Sequence, residues 1–119
     1  MSSVTILVDP RCGDRLAELA AQVDHVWMAD TPENRATAKR RWTDGHPDVT
    51  TFKVSEPFDP AREAHGILGQ VLLHHPDAGE IRVIGCEADD RLRRSFETEG
   101  FRIAAENKDG FVARSGAGA

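Results

Sequence analysis

The chain has few of the residues that hold small secreted or metal-stabilised domains together. Its 119 residues include only two cysteines, Cys12 and Cys86, which is too few for a disulfide scaffold and typical of a reducing compartment. No apolar run approaches the roughly 20 residues that span a bilayer. The amino terminus lacks a basic segment followed by a long apolar one, so no signal peptide is predicted. We therefore expect a soluble cytoplasmic protein that is not associated with a membrane.

Several well-known catalytic motifs are also missing. No Cys-x-x-Cys or His-x-x-x-His pair occurs, so no metal site is predicted. The phosphate-binding loop of nucleotide hydrolases, the nucleophile elbow of α/β-hydrolases and the cysteine–arginine loop of phosphatases are absent. A receiver domain needs an aspartate at the end of its third strand, where this chain has Val54-Ser55-Glu56. No family of known activity is recognised in the sequence.

The composition indicates one globular domain. Hydrophobic residues make up 39% and charged residues 29%, and the net charge of -5 disfavours broad binding to nucleic acid. The length fits a single domain. We predict this domain over residues 1–114 and a flexible tail over residues 115–119, which read Ser-Gly-Ala-Gly-Ala.

Strand-like and helix-like patterns alternate along the chain. Short apolar or alternating runs predict six strands, at residues 4–8, 23–28, 49–54, 81–85, 101–105 and 111–114. Helical spacing of apolar residues predicts helices between the first five strands. Thr31-Pro32 and Asp59-Pro60 are typical helix starts. Gly66 and Gly69 interrupt the third predicted helix, and we expect close packing against a neighbour to explain them.

This alternation predicts an α/β fold: a three-layer Rossmann-like open sheet, mostly parallel, with an antiparallel C-terminal hairpin. The first and fourth strands are the most apolar and should be central. The strand order 3-2-1-4-5-6 places them side by side, whereas the order 2-1-3-4-5 does not. We therefore expect the order 3-2-1-4-5-6.

A candidate site follows from this topology. Ligands of open α/β sheets bind at the carboxyl ends of the strands, at the point where the strand order reverses. Here that point lies between the first and fourth strands. We call the polar residues that follow the strands at this edge the candidate rim: Asp9, Arg11, Cys12, Asp30, Asn34, Arg35, Cys86 and Glu87.

The two cysteines of the candidate rim allow more than one interpretation. Adjacent central strands would bring Cys12 and Cys86 close together, and a helix N-terminus lowers a thiol pKa, so either could be reactive. They could also pair under oxidation, or share a metal with a histidine. The simpler interpretation is two half-buried, reduced thiols with a packing role.

Asp30 occupies the position of the acidic residue that binds ribose in dinucleotide-binding folds. The glycine-rich loop that should accompany it is missing, since residues 9–14 read Asp-Pro-Arg-Cys-Gly-Asp. One glycine gives poor access for a pyrophosphate, and the two aspartates would repel it. We therefore expect no cofactor, and Asp30 is explained more simply as a residue at a helix start.

Two functions remain open. The first is a binding, interaction or regulatory domain, with a protein partner or a homodimer formed through an open edge strand. The second is a small enzyme acting on an anionic small molecule, with Cys12 or Cys86 as nucleophile or Asp9 as acid or base, and with Arg11 and Arg35 attracting the substrate. No surviving motif supports the second, so the first is preferred. Whether the protein is an enzyme stays undecided.

Overall fold

A computed structural model describes residues 2–8, 24–41, 48–54 and 59–115. Its strands are β1 Ser2–Leu7, β2 His25–Ala29, β3 Asp48–Phe52, β4 Ala78–Ile84, β5 Phe101–Asn107 and β6 Gly110–Ser115. Its helices are α1 Pro32–Arg41, α2 Pro60–His74 and α3 Asp90–Thr98. The helix predicted between the first two strands lies outside the described residues. Ser115, assigned to the tail from the sequence, is instead the last residue of β6.

All six strands form one sheet with the order β3-β2-β1-β4-β6-β5. β1 is parallel to both β2 and β4, with Val4 opposite Ile81 and Leu7 opposite Ile84. β6 is antiparallel to both of its neighbours. The predicted fold class, an open and mostly parallel α/β sheet with an antiparallel C-terminal hairpin, is confirmed, as is the central pairing of β1 with β4.

The predicted order of the last two strands is wrong. β6 lies between β4 and β5, whereas the prediction placed the fifth strand next to the fourth. The inner position is occupied by the more apolar strand, because β6 buries Phe111 and Ala113 while most of β5 is exposed. Gly110 also permits the close approach of β6 to β4, since a Cβ at that position would collide with the carbonyl oxygen of Val83.

The helices begin where the sequence predicts. The Oγ1 of Thr31 accepts a hydrogen bond from the Asn34 N–H at 3.2 Å, and Asp59 Oδ1 accepts one from the Ala61 N–H at 3.2 Å. Such side chains satisfy backbone donors that have no partner within the helix. Asp89 caps α3 in the same way, through the Leu92 N–H at 2.8 Å. Among the described residues, no helix has the length and apolar character needed to cross a membrane.

The sheet packs against α2 and α3 on one face, which we call the covered face. Because side chains alternate along a strand, every second residue of β1 and β4 points to this face. The core cluster there joins strand residues to the inner sides of both helices, with Ile6, Ile81, Val83 and Phe111 from the sheet and Ala64, Leu68, Val71, Leu92 and Phe96 from the helices. Phe96 meets Phe111 edge to face at a centroid distance of 5.3 Å.

Gly66 and Gly69 do not pack closely against a neighbour, so that expectation is wrong. Both lie on the exposed side of α2, and a Cβ built at either position would meet no atom within 4 Å. The inner side of the same helix carries the buried Ala64, Ile67 and Leu68. The glycines therefore lower the stability of α2 without serving the core.

Candidate functional site

The turns that follow β2 and β4 lie at the same carboxyl edge of the sheet, with β1 between the two strands. Asp30 comes directly after β2, and Cys86 and Glu87 come shortly after β4. β1 and β4 stay paired to this edge, because the Val8 N–H donates to the Ile84 carbonyl at 3.0 Å. Three residues of the candidate rim, Asp9, Arg11 and Cys12, lie outside the described residues.

The carboxylate of Asp30 is incompletely satisfied. Its Oδ1 is buried and has no hydrogen-bond partner, although it lies 3.3 Å from the Arg35 guanidinium in an ion pair. The side chain of Arg35 is 60% exposed and that of Asp30 is 28% exposed. An ion pair with one such exposed partner contributes little, about 0–1 kcal/mol. A ligand that donates hydrogen bonds to Asp30 would therefore displace little existing stabilisation.

Asn34 holds the start of α1 against the end of β2. Its side chain is fully buried, and its Nδ2 donates to the Ala29 carbonyl at 3.0 Å. The turn itself is fixed by backbone bonds, including the Asp30 N–H to the Phe52 carbonyl at 2.8 Å. These bonds fix the position of Asp30, and Asn34 contributes to the site by positioning it.

Cys86 is half-buried and packs at the margin of the core. Burial raises the pKa of its thiol to about 11, and the negative charges of Asp89 and Asp59 act in the same direction. This is the opposite of the lowered pKa that a reactive cysteine needs. With that pKa, roughly one thiol in ten thousand is ionised at pH 7, so the described surroundings of Cys86 do not activate it as a nucleophile.

Asp59 and Asp89 belong to this edge, and the sequence analysis did not include them in the candidate rim. The sequence predicts Asp59 as a helix cap. Both caps follow parallel strands and therefore lie at the carboxyl edge. Glu87, also at this edge, is exposed. The described part of the edge therefore carries mostly negative charge, opposed by Arg35 and by the exposed Lys53 that follows β3. Such a field attracts cationic or hydrogen-bond-donating ligands more strongly than anions.

The described residues contain no group of three or more side chains that could hold a metal ion.

A cluster of aromatic side chains lies at the opposite, amino edge of the sheet. There the Trp27 Nε1–H donates to His75 Nε2 at 2.9 Å, and the His25 ring lies 4.3 Å from the His75 ring. These contacts join the start of β2 to the end of α2 and have a structural role.

Comparison with known proteins gives one informative match. No family model matches the chain, and no curated protein matches it. Among solved structures, the chain is similar to Streptococcus pneumoniae Sp1610, a putative tRNA (m1A22) methyltransferase, solved in complex with S-adenosyl-L-methionine. The identity is 15% and the TM-score is 0.56, with 97% of this chain and 66% of that chain covered. At this identity the likeness shows the fold alone. This chain spans about two thirds of the length of that protein.

Proposed function

We propose that this chain is a binding domain whose ligand is a small, hydroxyl-bearing molecule of the nucleoside class, held at the carboxyl edge of the sheet. The observation that carries the proposal is the Asp30 carboxylate, which has a buried oxygen without a hydrogen-bond partner. It follows β2, one strand away from the strand-order reversal between β1 and β4. A ribose offers two neighbouring hydroxyl donors, which suit such an acceptor. We keep the cytoplasm as the expected compartment.

S-adenosyl-L-methionine is the first ligand to test. It carries a ribose and a sulfonium cation but no phosphate, so the acidic residues that argue against a dinucleotide do not argue against it. The surroundings of Asp30, Asp59, Asp89 and Glu87 suit a cation better than an anion. The structural neighbour contains this molecule, which supports the choice of probe. From the sequence we expected no cofactor, and the proposal of a bound nucleoside differs from that expectation.

The alternative, a small enzyme acting on an anionic substrate, has less support. A thiol with its pKa raised to about 11 is a poor nucleophile at neutral pH, so Cys86 does not favour that function. The negative charge of the described edge also opposes an anionic substrate. What remains of the enzyme hypothesis depends on Asp9 and Cys12, outside the described residues.

Calorimetric titration of the full chain tests the proposal. We expect S-adenosyl-L-methionine, S-adenosylhomocysteine or adenosine to bind, and Asp30→Asn to weaken that binding at least tenfold, because the variant loses the anionic acceptor. Asp24→Asn is the matched control. Asp24 stands at the other end of β2 and accepts a hydrogen bond from the Ser3 N–H at 3.0 Å, which an asparagine oxygen can still accept.

Two outcomes would overturn the proposal. One is a wild-type chain that binds none of the three probes at millimolar concentration. The other is equal binding by wild type and Asp30→Asn, which would move the ligand away from the end of β2. Thermal melting of both variants establishes that neither change unfolds the chain.

A further inference from the structure

The face of the sheet opposite the covered face is unevenly protected. At its β1 and β2 end, Leu7, Val26 and Met28 are at most 1% exposed. At its β4 and β6 end, the equivalent residues Arg82, Ile84 and Val112 are half-exposed. This face is therefore buried at its β1 and β2 end and half-exposed at its β4 and β6 end.

The exposed half is a surface of three neighbouring strands, which we call the open patch. The strand register places its residues in rows that cross β4, β6 and β5. One row consists of Glu80, Arg114 and Arg102. The next row consists of Arg82, Val112 and Ala105. Ile84 lies beyond them. A cleft of about 310 Å³ runs over this surface, with Ile84, Val112 and Ala105 among its lining residues. The open patch thus has a small apolar floor that arginines border on one side.

The charges of the open patch are unbalanced. Glu80 pairs with Arg114, with a nitrogen–oxygen distance of 3.2 Å. Arg102 lies directly opposite Arg114, an arrangement of like charges that destabilises a sheet unless something neutralises it. Among the described residues, no carboxylate pairs with Arg82 or Arg102.

Two acidic residues at the end of the cleft do not neutralise these arginines. Glu106 also lines the cleft, but its carboxylate pairs with Arg93 of α3, on the covered side of the sheet. Asp109 lies in the turn beyond β5. Arg82 and Arg102 therefore remain available to an acidic partner.

We propose that the open patch is a docking site for an acidic amphipathic helix of a partner protein. A helix is about 10 Å across and strands lie about 4.8 Å apart, so one helix covers two to three strands. Its apolar side would meet Ile84, Val112 and Ala105, and its acidic flanks would meet Arg82 and Arg102. It would extend the burial of this face from β1 and β2 to β4 and β6, because a sheet face with apolar residues is stabilised by a packed layer.

The same observations disfavour the other possible occupants. A second copy placed face to face would oppose arginines with arginines. Pairing through the edge of β5 is hindered by the bulge between Ile103 and Ala105, a device that protects edge strands from association. Single-stranded nucleic acid needs exposed aromatic side chains for stacking. Phe111, the aromatic residue that lines the cleft, is only 3% exposed and belongs to the core on the covered face, so it offers no stacking surface.

The test uses two synthetic helical peptides, each with leucines along one side. One carries glutamates on both flanks and the other carries lysines. We expect the glutamate peptide to bind the full chain and to shift the amide resonances of Ile84, Ala105 and Val112. The double variant Arg82→Glu with Arg102→Glu should bind this peptide at least tenfold more weakly, and should bind the lysine peptide more tightly than wild type does.

The matched control makes the same charge change on the covered side, with Arg91→Glu and Arg94→Glu on the exposed surface of α3. This control should bind the glutamate peptide as wild type does.

The proposal is overturned if the glutamate peptide does not bind, or if the control loses as much affinity as the double variant. It is also overturned if a photo-crosslinker at Val112 captures nucleic acid or a second copy in cells, and supported if it captures an acidic helical segment. Asp30→Asn leaves every one of these results unchanged, so this proposal and the proposed ligand site fail separately.

Discussion

At the scale of single residues, the surroundings of a side chain decide its chemistry more than its type does. Cys86 follows a central strand and precedes a helix, which from sequence alone favours a lowered pKa. In the structure, burial and the carboxylates of Asp89 and Asp59 raise it instead. Asp30 shows the same dependence, since its position was predictable from the end of β2, but the lack of a hydrogen bond to its Oδ1 was not.

The raised pKa of Cys86 gives a titration that can be measured. In a Cys12→Ser background, the ultraviolet absorbance of the Cys86 thiolate should rise with a midpoint near pH 11. Because the chain contains no tyrosine, no phenol group titrates in the same pH range and adds to this absorbance change. Asp89→Asn should lower the midpoint, because it removes a negative charge that opposes ionisation. In the Cys12→Ser background with Asp89 retained, a midpoint at or below the ordinary value of 9.0 would contradict the structure.

The same shift links protonation to stability. The folded-state pKa of Cys86 is raised, so the thiol contributes stability that is fully present below pH 9.0 and is lost as the pH rises to about 11. The free energy of unfolding should therefore fall over this window in the Cys12→Ser background. In the same background with Cys86→Ala added, that fall should be smaller.

At the scale of elements, the sequence predicted helix starts correctly, because helix capping involves residues only a few positions apart. Thr31 and Asp59 cap α1 and α2 as predicted, because a cap requires only a short side chain and a nearby backbone N–H. The order of β5 and β6 was not predictable in this way. It depends on which strand competes better for the edge of β4, and that comparison involves residues about thirty positions apart.

The two glycines of α2 should be replaceable with a gain. Gly66→Ala and Gly69→Ala place a methyl group in open space, so each should raise the free energy of unfolding by up to about 1 kcal/mol through helix propensity. Urea denaturation measures the change. A loss of stability in either variant would mean that the outer side of α2 is packed after all.

Gly110→Ala is the contrasting substitution. There the added Cβ would collide with the carbonyl oxygen of Val83 across the β4–β6 pair. Relieving this contact requires the hairpin to move, and we expect a loss of about 1–3 kcal/mol, as for other overpacked sites. The same urea measurement applies, and unchanged stability would argue against β6 as the neighbour of β4.

At the scale of the whole molecule, one continuous core joins the sheet to α2 and α3. Ile6 is fully buried at its centre, with Trp27 and Val83 opposite it on the adjacent strands. Leu73, on the outer side of α2, is 77% exposed. The two residues have similar side chains and entirely different surroundings.

The substitutions Ile6→Ala and Leu73→Ala compare these surroundings directly. We expect Ile6→Ala to cost about 2–5 kcal/mol, because it leaves a cavity between the sheet and the helices of the covered face. Leu73→Ala should change the free energy of unfolding by no more than about 0.5 kcal/mol. Equal effects of the two changes would contradict the position of the core.

The sequence by itself determined the alternation of strands and helices, the central pairing of β1 with β4, and the edge where Asp30 and Cys86 lie. These follow from periodicity, apolar content and short-range capping, which act along the chain. Only the tertiary structure decided the inner position of β6, the raised pKa of Cys86 and the exposed arginines of the open patch. Each of these depends on which distant residues become neighbours, because burial and charge act through space rather than along the sequence.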